Sequence, residues 1–247
     1  MGAFYDIGVN YQMALIDELR DRVSIIASER WGDITQGRVV PTTDSLTFSN
    51  SGIFLDACIL YADIHGSTNM VDRISPTQAA EYYKAFLYCA ARLIKAESGE
   101  LVAYDGDRVM GVFIGDYKVD STVQAAFKIK YAVDQIINPE FLSVYGNNHY
   151  KLRHTVGIDA GTVLVAKTGI RADNDLVWVG PAANYAAKLN SFDGLDIAYP
   201  TRITVEAYNL IINPGLLSSG IVRFWNGPYK NVGARSHYRS NCHQAFT

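Results

Sequence analysis

The chain has no surplus of charge of either sign: 22 Lys and Arg residues face 25 Asp and Glu residues, a net charge of −3 over 247 residues. Proteins that bind nucleic acid or an anionic membrane surface usually carry a basic surplus or a basic patch. We therefore expect neither nucleic acid nor a membrane as a partner.

Cysteine is scarce, and long apolar runs are missing. Cys58, Cys89 and Cys242 form an odd set without Cys-x-x-Cys spacing, so the sequence predicts neither a disulfide framework nor a zinc site. No apolar run approaches the roughly 18 residues of a membrane span, and no signal peptide precedes the first helical pattern. The phosphate-binding patterns GxGxxG and GxxxxGK(S/T) are also absent. We expect a cytoplasmic protein that is neither a Rossmann dehydrogenase nor a P-loop enzyme.

The chain divides into two units. Apolar residues recur at helical spacing through residues 10–30, with charged residues between them, which predicts an amphipathic helix. Gly, Pro, Ser and Thr are frequent over residues 31–52, as is typical of an irregular connector with one short strand. We therefore assign residues 1–52 to a helix and connector, and residues 53–247 to the main domain.

Strand and helix patterns alternate irregularly after residue 52. We predict a helix over 121–137 that ends at Asn138-Pro139, and another over 181–191. Residues 152–159 and 162–166 are predicted as two strands joined around Ala160-Gly161. This order favours an α+β fold with an antiparallel or mixed sheet and helices mainly on one face.

One predicted strand ends in a carboxylate. The apolar run that begins at Asp56 reaches Asp63, and Gly66, Ser67 and Thr68 follow it at the start of a helix. Backbone N–H groups at a helix start are free to bind phosphate oxygens. Taken alone, Asp63 is better explained as an ordinary helix cap.

A second carboxylate follows in a tight hairpin. Asp107 comes directly after Gly106, between two short apolar runs, where aspartate is also a common turn former. A helical crossover can make its strand the neighbour of the strand that carries Asp63. Two carboxylates beside a helix start suit Mg²⁺ or Mn²⁺ in phosphoryl or nucleotidyl chemistry, so together they favour a metal site.

An Ala-rich helix carries a further pair of polar residues. Asn184 and Lys188 lie four residues apart and therefore share a face of this helix. An amide can orient a sugar, and a cation can neutralise charge on phosphorus. As isolated residues, both would be read as ordinary surface side chains.

Four segments of the chain resemble the class III nucleotidyl cyclases. They are Ile-Leu-Tyr-Ala-Asp63-Ile-His-Gly-Ser-Thr, Gly106-Asp107-Arg-Val-Met-Gly-Val-Phe, Val156-Gly-Ile-Asp-Ala-Gly161 and Gly180-x-x-x-Asn184-x-x-x-Lys188-Leu. The resemblance runs from about Asp56 to Tyr238. It implies a ferredoxin-like cyclase catalytic domain that works as a head-to-tail homodimer, with composite active sites at the interface.

The resemblance also implies a role for each motif residue. Asp63, the Ile64 carbonyl and Asp107 would bind two divalent ions, Mg²⁺ or Mn²⁺, and the ribose 3′-hydroxyl would attack the α-phosphorus and expel pyrophosphate. Asn184 would orient the ribose and Lys188 would stabilise the transition state. Most relatives carry Arg at that position, and Lys lacks the bidentate geometry of Arg. The residues implied for triphosphate binding are Gly66, Ser67, Thr68 and Lys230.

The usual purine readers are missing. At the positions where the purine cyclases of this family read the base, this chain has Ala103 and Val177. Neither side chain can hydrogen-bond a base edge, and an unmet polar group on a buried base costs roughly 1–3 kcal/mol. Tyr61, Tyr104 and Asp105 are the candidate replacements.

The phrase Ala-Tyr-Asp-Gly-Asp-Arg-Val-Met at residues 103–110 and the short stand-alone form are most similar to the pyrimidine cyclases of bacterial Pycsar anti-phage defence. Those cyclases make cyclic UMP or cyclic CMP for a separate effector protein. The leading hypothesis is conversion of UTP to cyclic UMP, with CTP as the first alternative substrate. An adenylate or guanylate cyclase with an atypical base pocket, and a catalytically dead regulatory domain, remain open because of Lys188 and the missing readers.

Overall fold

The computed structural model describes residues 2–191 and 196–245. Its helices and strands in chain order are α1 (Gly2–Ser28), β1 (Thr35–Gln36), β2 (Ile53–Ile64), α2 (Ser67–Val71), α3 (Pro76–Ala96), β3 (Glu100–Asp105), β4 (Arg108–Ile114), α4 (Lys118–Ala132), α5 (Asn138–Tyr145), β5 (His154–Gly169), β6 (Asn174–Val179), α6 (Pro181–Asn190), β7 (Thr201–Thr204), α7 (Val205–Tyr208), β8 (Ser218–Ser219), β9 (Val222–Arg223), β10 (Asn226–Val232) and β11 (Arg235–Ser240).

A mixed sheet forms the centre of the molecule. Its strands lie in the order β10-β11-β7-β5-β2-β4-β3, while β1 adds to β2 and β6 adds to β5. The β1–β2 and β5–β7 pairs are parallel, and the other pairs in this sheet are antiparallel. The predicted α+β fold with a mixed sheet is confirmed.

Strand β2 supports a core on each face of the sheet, because successive side chains of a strand point to opposite faces. Cys58 and Leu60 pack into the larger core with residues of α3 and α4. Leu55 and Ile59 pack into a smaller core with the alanines of α6. The long helices therefore cover one face, as predicted, and α6 lies on the other.

The predicted break at Ala160-Gly161 is wrong. Strand β5 runs unbroken over sixteen residues, and β2 pairs with it in register from Ile53↔Val165 to Ile64↔His154. Gly161 pairs with Ala57 in the middle of this ladder. The long partner strand offers hydrogen bonds on both sides of the Ala-Gly pair, which outweighs the local turn preference of the sequence.

The predicted helix end at Asn138-Pro139 is also wrong. Helix α4 passes through a π-helical turn at Val133–Ile137 directly into α5. Pro139 lies just after this π-helical turn, whose i→i−5 bonding departs from the regular helix that proline would disrupt. The Asn138 side chain is occupied as well, because it bonds the backbone N–H and C=O of Leu152 at 2.8 and 3.0 Å.

Helix α6 lies directly on the sheet at a glycine. A Cβ atom on Gly157 would come within 2.1 Å of the Ala186 carbonyl oxygen and 2.6 Å of the Asn190 nitrogen, both backbone atoms of α6. Asn190 is buried at the end of the helix. In the amide orientation that satisfies both of its polar atoms, it donates to the backbone carbonyl of Tyr61 at 3.1 Å.

We expect Gly157→Ala to lower the free energy of unfolding by about 3 kcal/mol, because α6 must move away from the sheet to admit a methyl group. Urea denaturation of the purified variant measures this change. Gly32→Ala is the matched control, since a Cβ there meets nothing within 4 Å. Equal stability of Gly157→Ala and the control would contradict the close packing of α6.

Helix α1 makes few contacts with the rest of the described chain. Residues 11–28 of this helix are all exposed, and Asn50 anchors its last turn by donating to the carbonyls of Ile26 and Glu29 at 2.7 and 2.8 Å. The predicted helix and the short strand β1 are both present. No helix in the described part of the chain is long and apolar enough to cross a membrane.

Candidate active site

The two predicted carboxylates converge. Asp63 lies near the end of β2, and Asp107 lies in the turn between β3 and β4, the strand next to β2. One oxygen of each carboxylate, Asp63 Oδ1 and Asp107 Oδ2, is buried without a hydrogen-bond partner among the described residues. Two buried acceptors left without a donor are costly unless a cation binds them.

The electrostatics of the pair favour a bound cation. Burial and the neighbouring Asp107 carboxyl group together raise the pKa of Asp63 to about 7, although the Arg108 guanidinium lowers it in part. Ionisation of both carboxyl groups at once is therefore unfavourable in the metal-free protein. A divalent cation between them would reverse this preference.

These residues fit a metal site with few protein side chains. No group of three or more His, Cys, Asp or Glu residues with metal-site geometry occurs in residues 2–191 and 196–245. The predicted third ligand, the Ile64 carbonyl, is a backbone oxygen, so two carboxylates and one carbonyl suffice. Mg²⁺ commonly binds through one or two carboxylates and takes its remaining ligands from water and substrate phosphates.

The predicted phosphate-binding segment begins immediately after β2. Gly66 has φ of 72° and precedes α2, which begins with Ser67 and Thr68. The N–H group of His65 is not available, because it donates to the Arg153 carbonyl at 2.9 Å. The available N–H groups therefore start at Gly66, at the beginning of the short helix.

Asn184 and Lys188 are exposed on α6, as their spacing predicts. The Lys188 ammonium lies over the Tyr185 ring, 5.0 Å from its centre. Among the described residues, no hydrogen bond or ion pair joins either side chain to the carboxylates at Asp63 and Asp107. We call Asp63 and Asp107 the metal half-site, and Asn184 and Lys188 the α6 half-site.

The hairpin that carries Lys230 reaches α6. Lys230 is exposed on β10, and the turn to β11 contains Gly233. A Cβ atom on Gly233 would lie 3.9 Å from the Lys188 Nζ atom. The β10–β11 hairpin therefore carries Lys230 and, through its turn, also lies close to Lys188 on α6.

The five positions considered for base reading separate in the structure, and one of them, Asp105, accepts a hydrogen bond from Arg108 at 2.7 Å. Tyr61 and Ala103 pack against the smaller core, on the face of the sheet that α6 covers. Tyr104 is exposed on β3. Val177 points away from them, into a groove of about 970 Å³ between α1 and the β5–β6 hairpin. Of these positions, only Tyr61 and Ala103 therefore lie together on the face of the sheet that α6 covers.

The family assignment agrees with this geometry. The sequence profile of the adenylate and guanylate cyclase catalytic domain matches residues 51–208, which contain both carboxylates and all of α6. The chain belongs to this family. The predicted relationship to class III nucleotidyl cyclases is confirmed.

Two curated relatives of this cyclase are similar over most of their length. A uridylate cyclase of Xanthomonas perforans is 46% identical over 230 residues, which is 93% of this chain and 97% of the relative. A uridylate cyclase of Burkholderia cepacia is 42% identical over 211 residues, which is 85% of this chain and 90% of the relative.

Solved cyclase structures share the fold. The adenylyl cyclase CyaB from P. aeruginosa superimposes with a TM-score of 0.64 and 16% sequence identity, over 76% of this chain and 95% of that chain. At this level of identity, the likeness supports the fold alone.

The structure adds three residues to this cyclase site that the sequence did not indicate. The Arg108 guanidinium lies over the Tyr61 ring, 5.4 Å from its centre. Tyr83 on α3 contacts the Ser67 hydroxyl and lies within the electrostatic reach of both carboxylates. Tyr185 lies beside Lys188. Each contact joins distant parts of the chain or depends on ring orientation, so no local pattern reveals it.

Proposed function

We propose that this cyclase converts UTP to 3′,5′-cyclic UMP and pyrophosphate, as a homodimer with composite active sites. The observation that carries the proposal is the meeting of Asp63 and Asp107, each with a buried oxygen that lacks a partner, in a chain of this family. The two relatives described above, at 46% and 42% identity, are both uridylate cyclases, which supports UTP as the substrate.

The reaction forms one bond and breaks one. The ribose 3′-oxygen releases its proton to solvent and bonds to the α-phosphorus, while the bond from that phosphorus to the bridging oxygen of the β-phosphate breaks and pyrophosphate leaves. Asp63, Asp107 and the Ile64 carbonyl would hold the divalent ions, Mg²⁺ or Mn²⁺. Ions bound there supply Lewis-acid stabilisation of the 3′-oxyanion and of the leaving phosphate oxygens.

The remaining groups of the chain position the substrate. The Asn184 amide is suited to hydrogen-bond the ribose, and the Lys188 ammonium offsets the charge that develops on the α-phosphoryl group. The N–H groups of Gly66, Ser67 and Thr68 are suited to donate hydrogen bonds to the triphosphate oxygens at the start of α2. The family resemblance pairs Asn184 and Lys188 of one chain with the carboxylates and the Gly66–Thr68 segment of a second copy, so the complete site would require a homodimer.

Tyr61 and Arg108 are suited to read uracil. Burial raises the pKa of Tyr61, so its hydroxyl stays protonated at neutral pH and is able to donate a hydrogen bond. Arg108 offers donors only; its Nη2 atom donates to Asp105 Oδ2 at 2.7 Å, and its guanidinium lies over the Tyr61 ring, so its other N–H groups are the ones available to a base. Uracil presents two carbonyl acceptors, whereas cytosine replaces one of them with an amino donor. This donor-rich pair therefore favours UTP over CTP.

The direct test incubates the purified protein with ATP, GTP, UTP or CTP in the presence of Mn²⁺ or Mg²⁺ and resolves the products by chromatography. We expect cyclic UMP as the main product. A cyclic purine nucleotide would contradict the assignment of the base, and cyclic CMP would contradict the role of Arg108. Failure to form any cyclic product would favour a regulatory domain that has lost catalysis.

We expect Tyr61→Phe to lower kcat/KM for UTP about 10-fold, the effect of losing one buried hydrogen bond to the base. Steady-state kinetics with UTP measure the change. Tyr88→Phe is the matched control, because this tyrosine of α3 is exposed away from the site. If Tyr61→Phe turns over UTP at the wild-type rate, the Tyr61 hydroxyl does not read the base.

The proposal extends to antiviral signalling. The resemblance to Pycsar cyclases implies that a separate effector protein binds the cyclic nucleotide during phage infection. Plaque assays of cells that express this chain with a cyclic-nucleotide effector test this role. We expect protection from phage by the wild type and none by a variant that lacks Asp63.

A further inference from the structure

Lys188 is a flexible side chain in a place that needs a fixed charge. In the proposed function it supplies the cation for the transition state, and lysine has no planar fork to fix its direction. Such a charge is effective only when it is held in place before the reaction. Lys188 Nζ lies 5.0 Å from the centre of the Tyr185 ring, one turn earlier on α6.

The Tyr185 ring is in turn held by an arginine from another part of the fold. The guanidinium carbon of Arg235, at the start of β11, lies 4.8 Å from the centre of the same ring. Two cations thus share one aromatic ring. Cation–π contacts of this kind favour a defined ring orientation and contribute about 0.5–1 kcal/mol each at exposed sites.

A buried carboxylate, that of Asp159 on β5, binds the Arg235 guanidinium. The Arg235 Nη1 atom donates to Asp159 Oδ2, and its Nε atom lies 3.6 Å from Glu206 Oε1. Asp159 is fully buried on β5, and it also accepts hydrogen bonds from the Thr204 hydroxyl and from the backbone N–H group of Ala160. The carboxylate is therefore held on several sides and cannot follow Arg235 if the arginine moves.

We propose that Arg235 is a positioning residue for Lys188: Asp159 fixes the guanidinium, the guanidinium fixes the Tyr185 ring, and the ring fixes the direction of the Lys188 ammonium. This inference rests on the role of Lys188 in the proposed function. The proposal also accounts for lysine rather than arginine at position 188. Arg235 on β11 supplies the rigid, planar guanidinium that α6 lacks.

A kinetic double-mutant cycle tests the proposal. Arg235→Lys keeps the charge beside Asp159 but loses the planar fork, so we expect kcat to fall about 10-fold while KM changes less than 2-fold. In the Lys188→Ala background, the same substitution should change kcat less than 2-fold. An equal loss in both backgrounds would overturn the proposal, because Arg235 would then act independently of Lys188.

The chain offers a matched control on the same strand. Arg239 of β11 also stacks on tyrosines, at 4.3 Å from Tyr199 and 4.6 Å from Tyr229, and it pairs with Asp196 at 3.2 Å. Arg239→Lys should leave kcat within 2-fold of the wild type. A 10-fold loss in this variant as well would mean that any stacked arginine of β11 supports activity through the fold, and it would overturn a specific link to Lys188.

A measurement without catalysis separates this proposal from the proposed function. In protein labelled with carbon-13 at lysine, the Tyr185 ring current should shift the ε-methylene signal of Lys188 upfield; the signal is assigned with Lys188→Arg. We expect this shift to persist in Tyr185→Phe and to be lost in Tyr185→Leu and Arg235→Lys. Persistence in Arg235→Lys would overturn the positioning role. If the wild type cyclises a nucleotide other than UTP, the double-mutant cycle is measured with that nucleotide.

Discussion

Asp63→Asn should abolish cyclase activity and at the same time stabilise the metal-free protein. The amide cannot replace a carboxylate as a ligand for a divalent cation, so we expect kcat to fall roughly 10³-fold, the loss of several kcal/mol of Lewis-acid stabilisation. The same change removes one of two adjacent buried charges. Activity and stability therefore move in opposite directions, as happens at strained functional sites.

The sign of the stability change follows from the pKa of Asp63. Because burial and Asp107 raise this pKa to about 7, above the value of 3.8 for a free carboxyl, the folded state binds more protons than the unfolded state between about pH 4 and pH 7. The stability of the wild type in EDTA should therefore fall as the pH rises through this window. At pH 8, Asp63→Asn should be more stable by about 1–2 kcal/mol, a figure reduced for the partial exposure of the group.

Thermal or urea unfolding in EDTA at pH 4 and pH 8, repeated with Mn²⁺, measures both effects. The wild type should gain stability from Mn²⁺, and Asp63→Asn should gain little. Asp56→Asn is the matched control, because Asp56 lies on the same strand but is exposed and pairs with Lys118 at 2.9 Å. Full activity in Asp63→Asn, or an equal response to Mn²⁺ in both proteins, would rule out Asp63 as a metal ligand.

Mixing two variants that each have strongly reduced activity should restore activity if the sites are composite. Asp63→Asn removes the metal half-site, and Lys188→Ala removes the cation that the partner would supply. A heterodimer of these two variants contains one site with both defects and one intact site. Random pairing makes half of the dimers heterodimers, so we expect about a quarter of the wild-type rate.

Co-expression of the two variants with different affinity tags, followed by tandem purification, isolates the heterodimer and should give about half of the wild-type rate. The control pairs Asp63→Asn with Asp107→Asn. Both of these variants lack the metal half-site, so their heterodimer should stay inactive. Recovery in the control, or no recovery in the test pair, would contradict a site that is shared between two chains.

The sequence by itself predicted the local features of the site. An apolar run that ends at Asp63, a tight hairpin at Asp107 and the four-residue spacing of Asn184 and Lys188 all depend on neighbouring residues. The four motifs in their order identified the family. These features follow from short-range backbone geometry and from residue chemistry, which a single sequence records directly.

Only the tertiary structure decided the features that depend on pairing between distant segments. The twelve paired residues of β2 keep β5 continuous through Gly161, although Ala160-Gly161 reads locally as a turn. A π-helical turn allows the helix to continue past Asn138-Pro139. In both places, hydrogen bonds or packing from elsewhere in the fold outweighed the local preference.

The contacts that surround the reacting groups were also decided by the tertiary structure. Strand pairing brings Asp63 beside Asp107 and raises its pKa, and it places Arg108 over Tyr61. The approach of β11 to α6 places Arg235 on the ring beside Lys188. The sequence determined which chemical groups are available and where each strand or helix carries them. The fold decided which groups meet and how far burial shifts their charge, because both depend on the distances between segments that are remote in sequence.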